Sequence, residues 1–231
     1  MRKGYVLITG STSGLGEELA KVFAASGWNI ILQGRNRARA ERIAKKVIEH
    51  KVKCHTYLGD LSEKEVLSEL AQLAIYLKID CLINNAAEYY QGEFEEQPKE
   101  GLERMLGTNL IAPVELSREV YPMFAERRSG TIVNINSIDA RAPKKYCAAY
   151  CAAKFGLRGF TDALRLEAKT LGVRVVGVYL GGMNTPMYCA TGKDPSKCMK
   201  PAEVAKKILL TVEDSDESAA IDELTINRQV Y

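Results

Sequence analysis

Tyr5-Val6-Leu7-Ile8-Thr9-Gly10-Ser11-Thr12-Ser13-Gly14-Leu15-Gly16 is the stretch whose reading decides the fold. Its first four residues form a continuous apolar run closed by a polar, glycine-bearing turn, the pattern of a short strand covered on both faces. A helical pattern follows, with Leu19, Val22 and Phe23 on one face. Strand, glycine-rich turn and helix in that order build a phosphate cradle. Gly10 permits the tight turn, Gly14 lets backbone approach a pyrophosphate, and Gly16 lets helix pack close to strand, while the helix N-terminus supplies oriented amides. The first two glycines stand with three residues between them rather than the commoner one.

The same alternation continues outward. Trp28-Asn29-Ile30-Ile31-Leu32 reads as a second strand, followed by Gln33-Gly34-Arg35-Asn36-Arg37, which contains no acid. An acid at this strand end binds the ribose hydroxyls of NAD, whereas an Arg accommodates the extra phosphate of NADP, so Arg35 favours NADP over NAD. The competing reading makes Arg35, Arg37 and Arg39 a solvated helix start. Residues 36–50 read as a helix and Val52 to Leu58 as a third strand ending in Gly59-Asp60-Leu61. Ser62, with Glu65 three residues on, has the form of a capping box and leaves Asp60 free to bond an adenine amino group. A fourth strand ends in Asn84-Asn85-Ala86-Ala87, small and amide-bearing residues suited to backbone lying flat against a ligand. Residues 98–126 read as one long helical region, kinked by Pro113. Within it Asn109 lies on an apolar face, which implies a functional or helix-kinking role or a structural polar network.

Further strands are expected at Thr131 to Ile135, Val173 to Leu180 and Ile221 to Ile226, with helices over 148–172 and 201–212. Six of seven strands alternate with helices, so the fold class is α/β: a single-domain, doubly wound parallel sheet, or Rossmann fold, over residues 1–231. Gly181-Gly182 and the loop through Gly192 place a substrate lid at about residues 182–200.

The chain has 231 residues, 46% hydrophobic and 26% charged, with a net charge of +3. That suits one large soluble domain needing no staple, and the charge is too small and too scattered for a nucleic-acid partner. The six cysteines have no paired zinc spacing, so no metal site is expected, and a reducing, cytoplasmic setting follows. Cys147 and Cys151 lie four apart, either as a redox pair or as small packing residues. No run reads as a signal peptide or membrane span.

Chemistry concentrates between Ser137 and Lys154. Tyr150 and Lys154 share a helix face at a spacing of four, and a neighbouring cation favours the ionised phenol. Ser137 ends a buried strand at its carboxyl edge, where open α/β sheets bind ligands. With Thr9-Gly10, Gly14 and Gly16, Asp60-Leu61, Asn84-Asn85-Ala86, Asn109, Ser137, and Tyr150 with Lys154, the chain resembles a classical short-chain dehydrogenase/reductase over essentially its whole length. Tyr150 stands thirteen positions after Ser137, as in that family.

The resemblance implies NAD(P)-dependent hydride transfer between a carbonyl and a hydroxyl. Tyr150 is then the general acid or base, Lys154 lowers its pKa and holds the nicotinamide ribose, Ser137 fixes the substrate oxygen, and Asn109 holds a proton-relaying water. Ser11, Thr12, Ser13 and Leu15 supply the amides after Gly10, and Leu61, Asn85, Ala86 and Thr185 join the cofactor contacts. Ala87 stands where the family has Gly, and Gly181-Gly182 where it has Pro-Gly. The resemblance also implies a homodimer or homotetramer through the helices near 98–126 and 148–172. Candidate substrate-pocket residues are Glu88, Tyr89, Asp139, Arg141, Tyr146, Met183, Met187 and Tyr188, a mixed lining suited to a small-molecule carbonyl or alcohol. The rival reading is an NAD(P)-binding regulatory or structural protein without turnover.

Overall fold

A computed structural model describes residues 3–189, 192, 194–214 and 220–228. The apolar runs become seven strands: β1 (Tyr5–Ile8), β2 (Asn29–Gly34), β3 (Cys54–Leu58), β4 (Cys81–Asn84), β5 (Thr131–Ser137), β6 (Arg174–Leu180) and β7 (Glu223–Ile226). All pair in parallel, in the order β3-β2-β1-β4-β5-β6-β7. A parallel sheet must hide both faces, and successive residues serve opposite ones. Val6, Ile8, Ile30, Leu32 and Ile83 pack on one side, beneath α1 (Gly14–Ala25), α2 (Arg37–Ile48) and α8 (Pro201–Glu213). Leu7, Ile31 and Leu82 pack on the other, beneath α3 (Lys64–Tyr76) and α5 (Ala112–Arg127). The direction of winding reverses between β1 and β4, so the crevice beyond their carboxyl ends is where a ligand fits.

The region expected as one long helix is divided. α4 (Lys99–Leu106) runs into a π-helical turn, Gly107–Ile111, before α5 begins. The irregularity lies just ahead of Pro113 rather than at it. Pro113 has no N–H to give, so the carbonyl of Asn109, four residues earlier, lacks its helical donor.

α6 (Ala148–Ala168) carries Tyr150 and Lys154 and is tied to the sheet through polar side chains in the dry interior. Asn84 on β4 donates to the Asn134 side chain on β5 at 2.8 Å. Asn134 donates to the Thr161 hydroxyl on α6 at 2.9 Å, and Thr161 donates to the Leu157 carbonyl at 2.6 Å. Beyond β6, the Met199 amide donates to the Gly182 carbonyl (3.1 Å) and the Asn184 amide to the Met199 carbonyl (2.9 Å), which pins together the two ends of the segment expected as a lid. Within it lies a short helix, α7 (Pro186–Cys189), whereas positions 190, 191 and 193 fall outside the described residues. Gly181 is a held position: its amide donates to the Ile226 carbonyl at 3.0 Å, and a Cβ there would lie 2.1 Å from Asn227 Oδ1.

Candidate active site

A cleft of about 590 Å³ opens at the carboxyl edge of the sheet. Its floor at one end is the glycine turn. Gly10 has φ +61°, and a Cβ would lie 2.8 Å from the Ala86 Cα; at Gly16 a Cβ would lie 2.3 Å from the Gly10 carbonyl oxygen. Side chains would therefore fill the cradle or push α1 off it. Thr9 Oγ1 accepts from the Asn85 and Ala86 amides at 2.9 and 3.0 Å, and Asn85 Nδ2 donates to the Thr9 carbonyl at 2.8 Å. Ser13 caps α1 without a side-chain bond, so the first-turn amides keep their capacity for an anion. The methyl of Thr185 closes over Gly14 at 3.2 Å from where its Cβ would stand. These features fit a dinucleotide pyrophosphate. Gly10→Ala should destabilise the fold by at least about 1 kcal/mol, lowering Tm by about 2–4 °C in a chain of this size, measured by thermal unfolding.

The next part of the cleft is bordered by charge. One guanidinium nitrogen of Arg35, just past β2, donates to Asp60 Oδ2 at 3.0 Å and to Glu88 Oε1 at 2.8 Å. Glu88 Oε2 accepts from Arg104 Nε at 2.8 Å. Asp60 is not free, as the capping-box expectation required. Ser62 donates to Asp60 Oδ1 through its amide (3.0 Å) and hydroxyl (2.9 Å), while α3 starts from Glu63. Burial works to raise the Asp60 pKa, but the bonds from Ser62 and Arg35 outweigh it and hold the carboxyl below its ordinary value.

At the far end stand Ser137, Tyr150 and Lys154, all buried. Ser137 stands beside the Tyr150 phenol, whose ionised form it favours, and its Oγ accepts from the Asp139 amide at 3.1 Å. Asn136 joins strand to helix: its Oδ1 accepts from the Ser137 amide (2.8 Å), and its Nδ2 donates to the Lys154 carbonyl (3.2 Å). The Lys154 ammonium donates to the Ile135 carbonyl at 3.0 Å and sits 5.9 Å from the Tyr150 ring centre. Burial pushes the Tyr150 phenol above its ordinary value, and Ser137 opposes that rise without cancelling it. Burial pushes Lys154 down to about 8. The expected lowering of Tyr150 by Lys154 is thus not the dominant effect here: desolvation is.

Tyr89 covers Tyr150 edge-on, with ring centres 4.9 Å apart and planes at 78°. Its hydroxyl meets Cys147 Sγ at 3.2 Å and accepts from Lys144 Nζ at 3.3 Å. Cys147 and Cys151 are free thiols in one apolar cluster with Met105 and Tyr150, where they serve as packing residues. The Asn109 side chain turns to the backbone of Glu88, accepting from its amide at 2.7 Å and donating to its carbonyl at 2.8 Å. Both side-chain atoms of Asn109 are engaged there.

Of the expected pocket residues, Glu88, Tyr89, Asp139, Met183, Met187 and Tyr188 line the cleft. Arg141 and Tyr146 are not among the lining residues: Arg141 reaches Glu223 and stacks over Tyr179, and Tyr146 is exposed with Lys145 over its ring. Sequence reading assigned no role to Asn136, nor to Gln33, whose buried amide accepts from the Gly10 amide and donates to the Gly59 carbonyl, both at 2.9 Å. A polar residue at a strand position was the available signal for each.

The profile of the short chain dehydrogenase family matches residues 4–196. The chain is 30% identical, over 251 aligned positions covering all of it and 77% of the relative, to dehydrogenase/reductase SDR family member 7B of Xenopus laevis. Among solved structures, a short-chain dehydrogenase from Sphingobium yanoikuyae in complex with NADPH is 29% identical and superposes with a TM-score of 0.88 over 97% of this chain and 87% of that one. The bulky-bulky ketone specific alcohol dehydrogenase from Comamonas testosteroni is 28% identical, with a TM-score of 0.86 over 96% and 86%. With the motifs assembled along one cleft and the family profile covering most of the chain, this protein belongs to the short-chain dehydrogenase family of oxidoreductases.

Proposed function

We propose that the protein interconverts a carbonyl compound and a secondary alcohol, with NADP(H) preferred over NAD(H). The observation that carries this reading is the Tyr150 phenol, standing with Ser137 on the cleft wall and with the Lys154 ammonium behind it. Burial keeps the phenol protonated near neutral pH, so its resting form is an acid ready to protonate a carbonyl oxygen as that oxygen gains charge. In the reverse direction the phenolate receives the alcohol proton, and Lys154, charged below about pH 8, stabilises it. Ser137 orients the substrate oxygen. The chemistry that NADP supplies when bound is hydride exchange with the substrate carbon. Gly10, Gly14, Gly16 and the amides of residues 11–15 would hold the pyrophosphate, Asn85, Ala86, Leu61 and Thr185 would flank it, Lys154 would reach the ribose, and Arg35 the 2′-phosphate.

The NADPH in the Sphingobium structure and the ketone in the description of the Comamonas enzyme support this reading. Met183, Met187, Tyr89 and Tyr188 on the cleft wall support an adaptable, partly aromatic pocket beneath a lid at 182–200. Among the described residues no helix is long and apolar enough to cross a membrane. A cytoplasmic setting is part of the reading, supported by six free cysteines, as is association through α5 and α6, supported by the exposed Phe155 and Leu166.

Titration with both cofactors tests the reading. NADPH should bind more tightly than NADH, and Arg35→Ala should weaken NADPH by about 10- to 100-fold, the worth of a charge-assisted phosphate contact. Equal affinities in the unaltered protein would refute the phosphate assignment. NADPH binding without oxidation by any of a broad carbonyl panel would point to the regulatory alternative.

A further inference from the structure

Arg35 does more in this structure than wait beside the cleft. Its guanidinium starts from the end of β2 and meets Asp60, beyond β3, and Glu88, beyond β4. In the sheet β1 lies between β2 and β4, so the side chain passes over the region of the glycine turn that follows β1. Arg35, Gly59, Asp60, Leu61, Ala87 and Glu88 all line the cleft there.

We propose that Arg35, Asp60 and Glu88 form a removable bar across the adenosine half of the cleft, which every dinucleotide must open and which only a 2′-phosphate replaces in kind. The proposal rests on the NADP reading for its second clause and on the ion pairs alone for its first. Three features make the bar exchangeable. Glu88 holds Arg35 with one oxygen and Arg104 with the other, so it keeps a cation when Arg35 leaves. Asp60 holds Arg35 with one oxygen and Ser62 with the other, so it keeps two donors. The Glu88 backbone is clamped on both its amide and its carbonyl by Asn109, whereas the Arg35 side chain is 58% exposed. The acid is therefore the fixed post and the arginine the moving part.

The energetics follow from charge. A neutral 2′-hydroxyl gives Arg35 nothing comparable to the two carboxylates it gives up, so NAD(H) bears the cost of opening without return. A phosphate dianion restores the charge-assisted bonds. Glu88 thus acts as a positioning residue through Arg35: it sets how much affinity any cofactor loses on entry.

Calorimetric titration of NADH and NADPH against the unaltered protein, Arg35→Ala and Glu88→Gln tests this. Arg35→Ala should move the two cofactors in opposite directions, weakening NADPH while tightening NADH by about three- to tenfold, the scale of two part-exposed ion pairs. Glu88→Gln should tighten both by about threefold or more. If NADH affinity is unchanged in both variants, there is no bar, whatever happens to NADPH. If NADH tightens in both while the unaltered protein binds the two cofactors equally, the bar stands and the phosphate preference falls. Circular dichroism before titration checks that each variant is folded; both substitutions lie at the cleft rim, and should Glu88→Gln not fold, unmoved NADH affinity in Arg35→Ala alone overturns the proposal.

Discussion

Tyr150→Phe should lower turnover by at least about 100-fold while leaving NADPH affinity within about twofold. The substitution removes one oxygen and keeps the ring that packs edge-on beneath Tyr89, so the cleft wall retains its shape. What is lost is the proton that the buried phenol holds next to Ser137. Steady-state rates with NADPH and a responsive ketone, alongside fluorescence titration of NADPH, separate the two effects. Full turnover in the variant would rule out Tyr150 as the acid. A large loss of cofactor affinity would instead mean that the substitution disturbs the cradle.

Lys154→Met should remove most activity and weaken NADPH, yet make the protein more stable. Lys154 is 2% exposed and its ammonium donates to the Ile135 carbonyl. Its pKa falls from the ordinary 10.5 to about 8 on burial, so folding disfavours its charged form. Above about pH 10.5 both folded and unfolded chains are neutral at this position and the cost vanishes. As pH falls towards 8 the unfolded chain takes up a proton that the folded chain resists, and below about 8 the full cost of a buried charge is present. The methionine variant lacks that cost and retains an unbranched side chain of similar length. Its Tm at pH 7 should exceed that of the unaltered protein by at least about 2–4 °C, with the gap closing as pH rises past 8. Scanning calorimetry of the two proteins across that range measures it. A variant that is less stable at pH 7 would mean that the Ile135 bond outweighs desolvation.

A lysine costly to the fold is consistent with the role proposed for it in the chemistry. Its place is also legible in the sequence. The strand–turn–helix at 5–16, the spacing of Tyr150 and Lys154 and the position of Ser137 are local patterns, and local patterns fix strands, helices and the residues at their ends. The seven strands follow from short apolar runs bounded by polar turns, and the reversal of winding follows from their order. What sequence did not convey depends on which loops meet at the sheet edge. Nothing near Glu88 in the chain reveals that it faces Arg35 from two strands away, or that Asn109 takes hold of its backbone. The same holds for Asp60, whose carboxylate turned to Ser62 rather than standing free beside a Ser62 cap. The division of residues 98–126 was only half visible: Pro113 marked the place, but the wider turn over Gly107–Ile111 lies ahead of it. Gln33 and Asn136 escaped because a buried amide reads as an ordinary strand residue until both its neighbours are known.

The polar thread from Asn84 through Asn134 to Thr161 crosses β4 and β5 and ends on the helix that carries the phenol. Greasy contacts alone would let that helix creep along the sheet by fractions of a turn at little expense. Amides spaced at fixed intervals forbid such creep, because any displacement strands a donor in oil. The helix is therefore keyed to its groove, and the separation between the serine and tyrosine oxygens is set by hydrogen bonds lying well below the chemistry they serve.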